Sequence, residues 1–289
     1  MTADTSVASP FAGVPETPGA PKPDPILKVD GLVRRFGGIT AVDVDHLEIQ
    51  ANAITGLIGP NGAGKTTFFN LITGFDEISG GTFTFKGESL AGVPAYKVAR
   101  KGLVRTFQLT KALSKLTVID NMKLGAVAQT GENPFKALLR PLWGDQEREI
   151  EERADQLLKR FKLYEKRDDY AGELSGGQRK LLEMARALMA DPEVICLDEP
   201  MAGVNPALTQ SLLQHVKELK KEGLTVIFVE HDMDVVRDIS DWVVVMAEGS
   251  IIAEGSHASI GQNKAVIDAY LGTSHEIDLG TIELAPEDR

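Results

Sequence analysis

The stretch Gly59-Pro60-Asn61-Gly62-Ala63-Gly64-Lys65-Thr66-Thr67 decides the fold class. It follows the apolar run Ile54–Ile58 and precedes a stretch with helical spacing, so it satisfies the pattern G-x-x-x-x-G-K-[ST] between a strand and a helix. Glycines let backbone N–H groups turn toward a polyphosphate, and a helix N-terminus adds partial positive charge. The pattern predicts a phosphate cradle in which Lys65 reaches the β- and γ-phosphates and the Thr66 hydroxyl binds Mg²⁺. The alternative is a glycine-rich turn that happens to precede a helix.

Composition limits the classes of protein that this chain can be. The 289 residues are 43% hydrophobic and 25% charged, with a formal net charge of −11, which excludes a disordered or fibrous protein. The acidity argues against a nucleic-acid partner, because an autonomous binder needs a basic surface. Apolar runs such as Val194–Leu197 have the length of buried strands, well below the ~20 residues of a membrane span. The single cysteine, Cys196, favours a reducing compartment and is interpreted as a small core residue.

On both sides of the cradle in the sequence, short apolar runs alternate with helical stretches. This alternation is typical of a mainly parallel sheet covered by helices. Turns such as Glu248-Gly249 predict an antiparallel portion at each end of the chain. From about 109 to 172 the strand signals vanish, and we expect an inserted helical subdomain. Strands are predicted at Leu27–Val29, Ile54–Ile58, Thr82–Phe85, Leu103–Thr106, Val194–Leu197, Thr225–Val229, Trp242–Met246 and Ile251–Ala253.

Three segments follow from this pattern. Residues 1–25 are rich in proline and predict a flexible leader without the features of a signal peptide. Residues 26–272 form the expected folded domain. Residues 273–289 carry an excess of acidic side chains and predict a tail.

Two carboxylates end the predicted strand Val194–Leu197. The carboxyl ends of strands in an open α/β sheet face the ligand crevice, so Asp198 and Glu199 are expected to lie near the phosphates. We assign Asp198 to Mg²⁺, through coordinated water, and Glu199 to the general base that polarises the attacking water. The alternative is an exposed acidic turn.

A third motif, Leu174-Ser175-Gly176-Gly177-Gln178, precedes a helical stretch. Ser175 is expected to cap this helix while the two glycines expose backbone N–H groups, so the motif predicts a second anion site. An ordinary helix cap is the alternative reading.

Together, these motifs resemble those of the nucleotide-binding subunits of ATP-binding cassette (ABC) transporters, over about residues 27–271. The resemblance implies an α/β P-loop NTPase domain with a mainly parallel core sheet, an antiparallel β portion and an inserted α-helical subdomain. It also implies that the chain binds ATP and Mg²⁺ and couples ATP hydrolysis to transmembrane transport. In this family, two subunits trap two ATP molecules between the cradle of one and the serine-glycine signature of the other. We therefore expect a second ATP-binding subunit, either a copy of this chain or a paralogue.

Four more residues take a role from the resemblance. Phe36 resembles the aromatic that stacks on adenine, although it could instead cover a sheet edge. Gln108 resembles the glutamine that senses Mg²⁺ and water and leads into the helical subdomain. His231 resembles the histidine that contacts the γ-phosphate, although a lone histidine at a strand end is usually structural. Asn205 stands where many members have aspartate, which removes a charge but keeps hydrogen-bonding capacity.

The resemblance also implies partners and a location. Separate transmembrane permease subunits would bind the helical subdomain and the Gln108 loop at the cytoplasmic face of the inner membrane. A periplasmic substrate-binding protein would act indirectly.

Five short stretches resemble the LivG-type subunits of bacterial branched-chain amino acid importers. Urea or amide importers and the subunit that powers lipopolysaccharide export share much of this pattern. A soluble ABC ATPase acting on nucleic acid or the ribosome, and a cassette that only binds nucleotide, remain the alternatives from other classes. The stretches are Arg35-Phe36-Gly37-Gly38 with Ala41-Val42, Leu71-Ile72-Thr73-Gly74-Phe75, Arg105-Thr106-Phe107-Gln108, Glu230-His231-Asp232-Met233 and Ala269-Tyr270-Leu271-Gly272.

Overall fold

The computed structural model describes residues 10–106, 113–127 and 144–271. The strands are β1 (Pro25–Phe36), β2 (Ile39–Gln50), β3 (Ile54–Ile58), β4 (Gly80–Phe85), β5 (Glu88–Ser89), β6 (Leu103–Arg105), β7 (Val194–Asp198), β8 (Thr225–Val229), β9 (Trp242–Ala247) and β10 (Ser250–Gly255). The helices are α1 (Lys65–Ile72), α2 (Ala95–Arg100), α3 (Val118–Lys123), α4 (Gly144–Arg160), α5 (Gly176–Leu188), α6 (Pro206–Lys221), α7 (Met233–Ile239), α8 (His257–Gln262) and α9 (Lys264–Leu271).

The central sheet has the strand order β10-β9-β3-β8-β7-β6 within the described residues. Neighbouring strands from β9 to β6 are parallel, and β10 is antiparallel to β9. Every residue of β3, β7 and β8 is buried, as expected for parallel strands that are covered by helices on both faces. The predicted mainly parallel α/β sheet is confirmed.

A second sheet, with the order β2-β1-β4-β5, is antiparallel. Its strand β2 was not predicted, and β1 is longer than the predicted Leu27–Val29. In β2 the buried Val42 and Val44 alternate with the exposed Asp43 and Asp45, because one face of this sheet contacts solvent. Such a half-polar strand lacks the continuous apolar run on which the prediction relied.

The turn between β9 and β10 has the backbone of a tight hairpin. Glu248 and Gly249 have φ angles of 49° and 84°, the left-handed pair that a two-residue hairpin turn requires. The predicted antiparallel portion at this end of the chain is therefore present.

The region predicted as a helical subdomain is described at 113–127 and 144–172. There, α3 and α4 pack against α5, and short 3₁₀ turns follow at Tyr164–Lys166 and Ala171–Glu173. The extended backbone in these ranges includes a single antiparallel bridge between Thr117 and Tyr170. None of the helices that the structure describes is both long and apolar enough to cross a bilayer.

Residues 10–24 differ from the predicted flexible leader, because they pack against the β9–β10 hairpin. The ring of Phe11 stacks on Trp242, with centroids 4.6 Å apart and planes 14° apart. The Lys22 Nζ atom lies 2.9 Å from the Glu254 Oε2 atom, and the two side chains are 1% and 0% exposed. The Gly19 N–H donates to the Glu254 Oε1 atom over 2.7 Å. The prolines correctly indicated little regular secondary structure, but they gave no sign of these anchors, so the predicted flexibility is wrong for residues 10–24. Residues 1–9 and 272–289 lie outside the described ranges.

We expect Phe11→Ala to destabilise the folded chain. The substitution removes a buried ring and its stacking on Trp242, which costs about 3 kcal/mol of unfolding free energy by comparison with other buried phenylalanines. Thermal unfolding of the two purified proteins measures the difference. The exposed Phe75→Ala is the control and should melt near the parent. Equal melting of Phe11→Ala and the parent would show that residues 10–24 do not contribute to stability.

Candidate functional site

Three neighbouring parallel strands bring the predicted site residues to one edge of the central sheet. The cradle follows β3, Asp198 ends β7, and His231 comes two residues after β8. The order β3-β8-β7 and the parallel pairing place these three strand ends side by side. The structure therefore assembles the cradle, the two carboxylates and the histidine as the sequence predicted.

The cradle needs glycine at two positions because other backbone atoms approach it closely. Gly59 has a φ of 147°, and a Cβ atom there would lie 2.0 Å from the Met246 carbonyl oxygen. Gly64 has a φ of 99°, and its Cβ would lie 2.5 Å from the Ala41 carbonyl oxygen. A side chain at either position would displace the loop from β9 or from β2.

Two segments from the C-terminal part of the chain hold the cradle. The Gly249 N–H in the β9–β10 turn donates to the Ala63 carbonyl over 3.0 Å. Tyr270 in α9 forms a hydrogen bond with the Gly59 backbone, and burial raises the pKa of its phenol to about 12. No local motif predicted this contact, because Tyr270 lies far from Gly59 in the sequence.

Helix α1 begins at the cradle with its N-terminal N–H groups free of side-chain caps. Gly64 stands at the N-cap, and the first turn carries no acidic residue. Thr66 is exposed and Thr67 is half-buried. This helix end suits an anion, because nothing from its own side chains competes for the N–H donors.

Lys65 folds back onto the cradle. Its Nζ atom donates to the carbonyl oxygens of Gly59 and Pro60 over 2.6 Å and 2.9 Å. Burial lowers the pKa of its ammonium group, while the nearby Glu199 and Asp198 carboxylates oppose that shift. A cation therefore lies on the cradle itself and within electrostatic reach of both carboxylates, where it can also reach a bound phosphate.

Asp198 is buried and has one oxygen engaged. The Arg105 Nη2 atom donates to its Oδ2 atom over 2.6 Å. Its Oδ1 atom is also buried and accepts no hydrogen bond from the described residues. An unengaged carboxylate oxygen at this edge fits a hydrated divalent cation. The Arg105 partner was missed, although Arg105 ends β6 and pairs with Cys196 of β7.

Glu199 and His231 form a direct pair. The Glu199 Oε1 atom lies 2.7 Å from the His231 Nε2 atom. The Glu199 backbone is left-handed, with a φ of 46°, and its N–H donates to the Val229 carbonyl over 3.0 Å. Left-handed backbone is uncommon for glutamate and often marks functional sites. The pair has the geometry of a base held by an orienting group.

The motif at Ser175 forms a capping box. The Ser175 hydroxyl accepts from the Gln178 N–H, and the Gln178 side chain accepts from the Ser175 N–H, over 3.2 Å and 2.9 Å. Ser175 and Gly176 are exposed. A Cβ at Gly177 would lie 1.8 Å from the Cδ2 atom of Leu208 in α6, so a larger residue there would force the Leu208 side chain to move. Within the described residues, no hydrogen bond joins this motif to the cradle.

The remaining predicted residues are placed as follows. Phe36 is 47% exposed at the end of β1, with the Arg34 guanidinium 4.4 Å from its ring centroid. Asn205 caps α6, because its Oδ1 atom accepts from the Leu208 N–H over 3.0 Å. Gln108 lies outside the described residues.

Comparisons with known proteins agree with this architecture. The family model described as "ABC transporter" matches residues 42–202. The probable branched-chain amino acid transport ATP-binding protein LivG of Archaeoglobus fulgidus is 41% identical over 256 residues, covering 88% of this chain and 99% of its own. The high-affinity branched-chain amino acid transport ATP-binding protein BraF of Pseudomonas aeruginosa is 41% identical over 86% of this chain and 98% of its own.

Solved structures show the same similarity. A nucleotide-free ATP-binding cassette from an ABC transporter superposes with a TM-score of 0.75 at 37% identity, over 85% of this chain and 98% of that chain. The ADP conformation of an ATP-binding cassette superposes with a TM-score of 0.75 at 38% identity, over 86% and 99%. The chain therefore belongs to the ABC transporter family, as an ATP-hydrolysing subunit of the cassette fold.

Proposed function

We propose that this chain hydrolyses Mg²⁺-ATP to drive the import of branched-chain or related amino acids. The observation that carries the hydrolytic role is the Glu199–His231 contact of 2.7 Å, at the same sheet edge as the cradle. The cargo follows from the relatives, which are named for branched-chain amino acid transport and match almost their full length.

The triphosphate would lie on the N–H groups of the cradle and of the start of α1. Lys65 would then exchange the carbonyls of Gly59 and Pro60 for oxygens of the β- and γ-phosphates. This exchange replaces two neutral acceptors by charged ones, so it favours bound nucleotide. Phe36, exposed at the end of β1, would stack on the adenine.

Thr66 and Asp198 would hold Mg²⁺, with Asp198 acting through coordinated water. The exposed Thr66 hydroxyl would be a direct oxygen ligand, and the buried, unengaged Asp198 Oδ1 atom would accept from a water on the cation, which suits the oxygen preference of Mg²⁺. When bound, Mg²⁺ neutralises charge on the β- and γ-phosphate oxygens. Gln108 would sense the same cation and the attacking water.

Glu199 would accept a proton from the water that attacks the γ-phosphate. His231 would keep the Glu199 carboxylate in place and contact the γ-phosphate. Both side chains are partly exposed, so water and a phosphate can reach them.

A second ATP-binding subunit would complete the site. Ser175 and Gly176 are exposed at the start of α5, whose first turn carries no acidic residue. The Gly176 N–H group and the hydroxyl proton of Ser175 suit the γ-phosphate held by another cradle, since the Ser175 N–H already donates to the Gln178 side chain. The partner is a copy of this chain or a paralogous subunit.

Transport also requires subunits that cross the membrane. Permease subunits would bind the helical subdomain at the cytoplasmic face of the inner membrane, and a periplasmic substrate-binding protein would deliver the cargo. Closing the two cassettes on ATP would move that subdomain, and hydrolysis would release it.

Glu199→Gln should slow ATP hydrolysis by about 10²-fold or more, because the amide cannot accept the proton of water. Binding of ATP should persist, since the cradle is unchanged. Phosphate release and nucleotide titration measure the two quantities separately. Unchanged turnover would remove Glu199 from the role of general base.

Lys65→Ala should weaken ATP binding itself by about tenfold or more, because charged hydrogen bonds to the phosphates are lost. Nucleotide titration measures the dissociation constant, and the exposed Lys101→Ala is the control. A normal dissociation constant for Lys65→Ala would contradict the cradle assignment.

Deleting the gene should abolish uptake of labelled branched-chain amino acids by the source cells. The parent gene should restore uptake, and a gene carrying Glu199→Gln should not, because transport needs hydrolysis. Normal leucine uptake together with lost urea or amide uptake would assign the cassette to a different importer.

A further inference from the structure

Glu230 is a buried carboxylate between β8 and His231 for which no role was predicted from the sequence. It is 5% exposed. Glu230 directly precedes His231 in the chain, but it takes no part in the 2.7 Å contact between Glu199 and His231.

The two oxygens of Glu230 accept hydrogen bonds from two different segments. The Met201 N–H donates to Oε1 over 2.9 Å, and the His231 N–H donates to Oε2 over 3.4 Å. Met201 lies two residues after Glu199, in the loop that leads to Asn205 and α6. One carboxylate therefore connects the loop after β7 with the loop after β8.

Burial and a nearby carboxylate both disfavour the charged form of Glu230. Burial raises the pKa of Glu230, and the Glu199 carboxylate acts in the same direction. The Met201 and His231 N–H groups and the His231 ring oppose the shift. A carboxylate in such surroundings is retained only where its hydrogen bonds compensate for desolvation.

The Glu199–His231 pair depends on the relative placement of these two loops. Glu199 itself is anchored to β8 through its N–H bond to the Val229 carbonyl. The His231 side chain is 44% exposed, so packing alone does not hold it. The Glu230 link is a second connection between the backbone at His231 and the Glu199 loop, besides the Glu199 N–H bond to Val229.

We propose that Glu230 is a positioning residue for ATP hydrolysis, which ties Met201 to His231 and so keeps the Glu199–His231 pair aligned. This inference rests on the proposed roles of Glu199 and His231. Glu230 acts through these two residues and does not contact the reacting atoms. The same link joins His231 to the loop that carries Asn205.

The test compares Glu230→Ala with Glu230→Gln. Alanine removes both acceptors, whereas the glutamine oxygen can still accept from the Met201 N–H but its amide nitrogen cannot accept from His231. Glu230→Ala should lower kcat by about tenfold or more, with the KM for ATP within about twofold of the parent. The kcat of Glu230→Gln should lie between the kcat of the parent and that of Glu230→Ala.

Asp238→Ala is the matched control, because Asp238 lines one groove together with Glu230 and His231. Its ion pair among the described residues is at the surface, with Lys217 over 3.0 Å. This variant should keep the parental kcat and KM. Thermal unfolding of each protein shows the folded fraction, and Glu230→Gln carries the test alone if Glu230→Ala does not fold.

The inference is overturned if the kcat values of folded Glu230 variants match that of Asp238→Ala, or if only KM changes. Failure of the proposed function looks different, because Glu199→Gln would then hydrolyse ATP at the parental rate. An inactive Glu199→Gln beside fully active Glu230 variants would reject the Glu230 role alone.

Discussion

The close approach of backbone to backbone at Gly59 is the constraint on which the rest of the site depends. The Met246 carbonyl of β9 occupies the space that a Cβ atom would need, so the cradle lies directly against the neighbouring strand. From that fixed point the turn of the β9–β10 hairpin reaches Ala63, and α9 reaches Gly59 through Tyr270. The cradle is thus held by the sheet and by two later segments, which prepares its N–H groups before nucleotide arrives.

At the sheet edge, positively charged side chains lie near the negatively charged carboxylates. Arg105 engages one oxygen of Asp198, and Lys65 lies near Glu199 and Asp198 while donating to backbone carbonyls. Phosphate oxygens are stronger acceptors for Lys65 than those carbonyls, and a divalent cation suits the remaining Asp198 oxygen. Binding can therefore exchange partners within the site without leaving a buried charge unpaired.

Sequence reasoning succeeded where the local pattern alone determines the structure. β3, β7 and β8 are continuous apolar runs, and the cradle and capping box are contiguous motifs, so each could be identified from neighbours in the chain. β2 was missed because its buried and exposed residues alternate, and residues 10–24 were misjudged because their anchors, Trp242 and Glu254, lie far away in the sequence. Sequence reasoning missed the partners of Asp198 and Met201 for the same reason. These partners are Arg105 of β6 and Glu230 directly after β8, and each lies far away in the sequence. The roles of Gln108 and of a second subunit remain predictions.

On nucleotide binding, phosphate oxygens should replace the backbone carbonyls as the partners of Lys65. A crystal structure of the Glu199→Gln protein with ATP and Mg²⁺ would show whether they do. We expect the Lys65 Nζ atom to donate to β- and γ-phosphate oxygens and to have left the Gly59 and Pro60 carbonyls, with Thr66 and Asp198 facing the cation. A Lys65 side chain still bonded to both carbonyls, with the triphosphate bound elsewhere, would contradict this expectation.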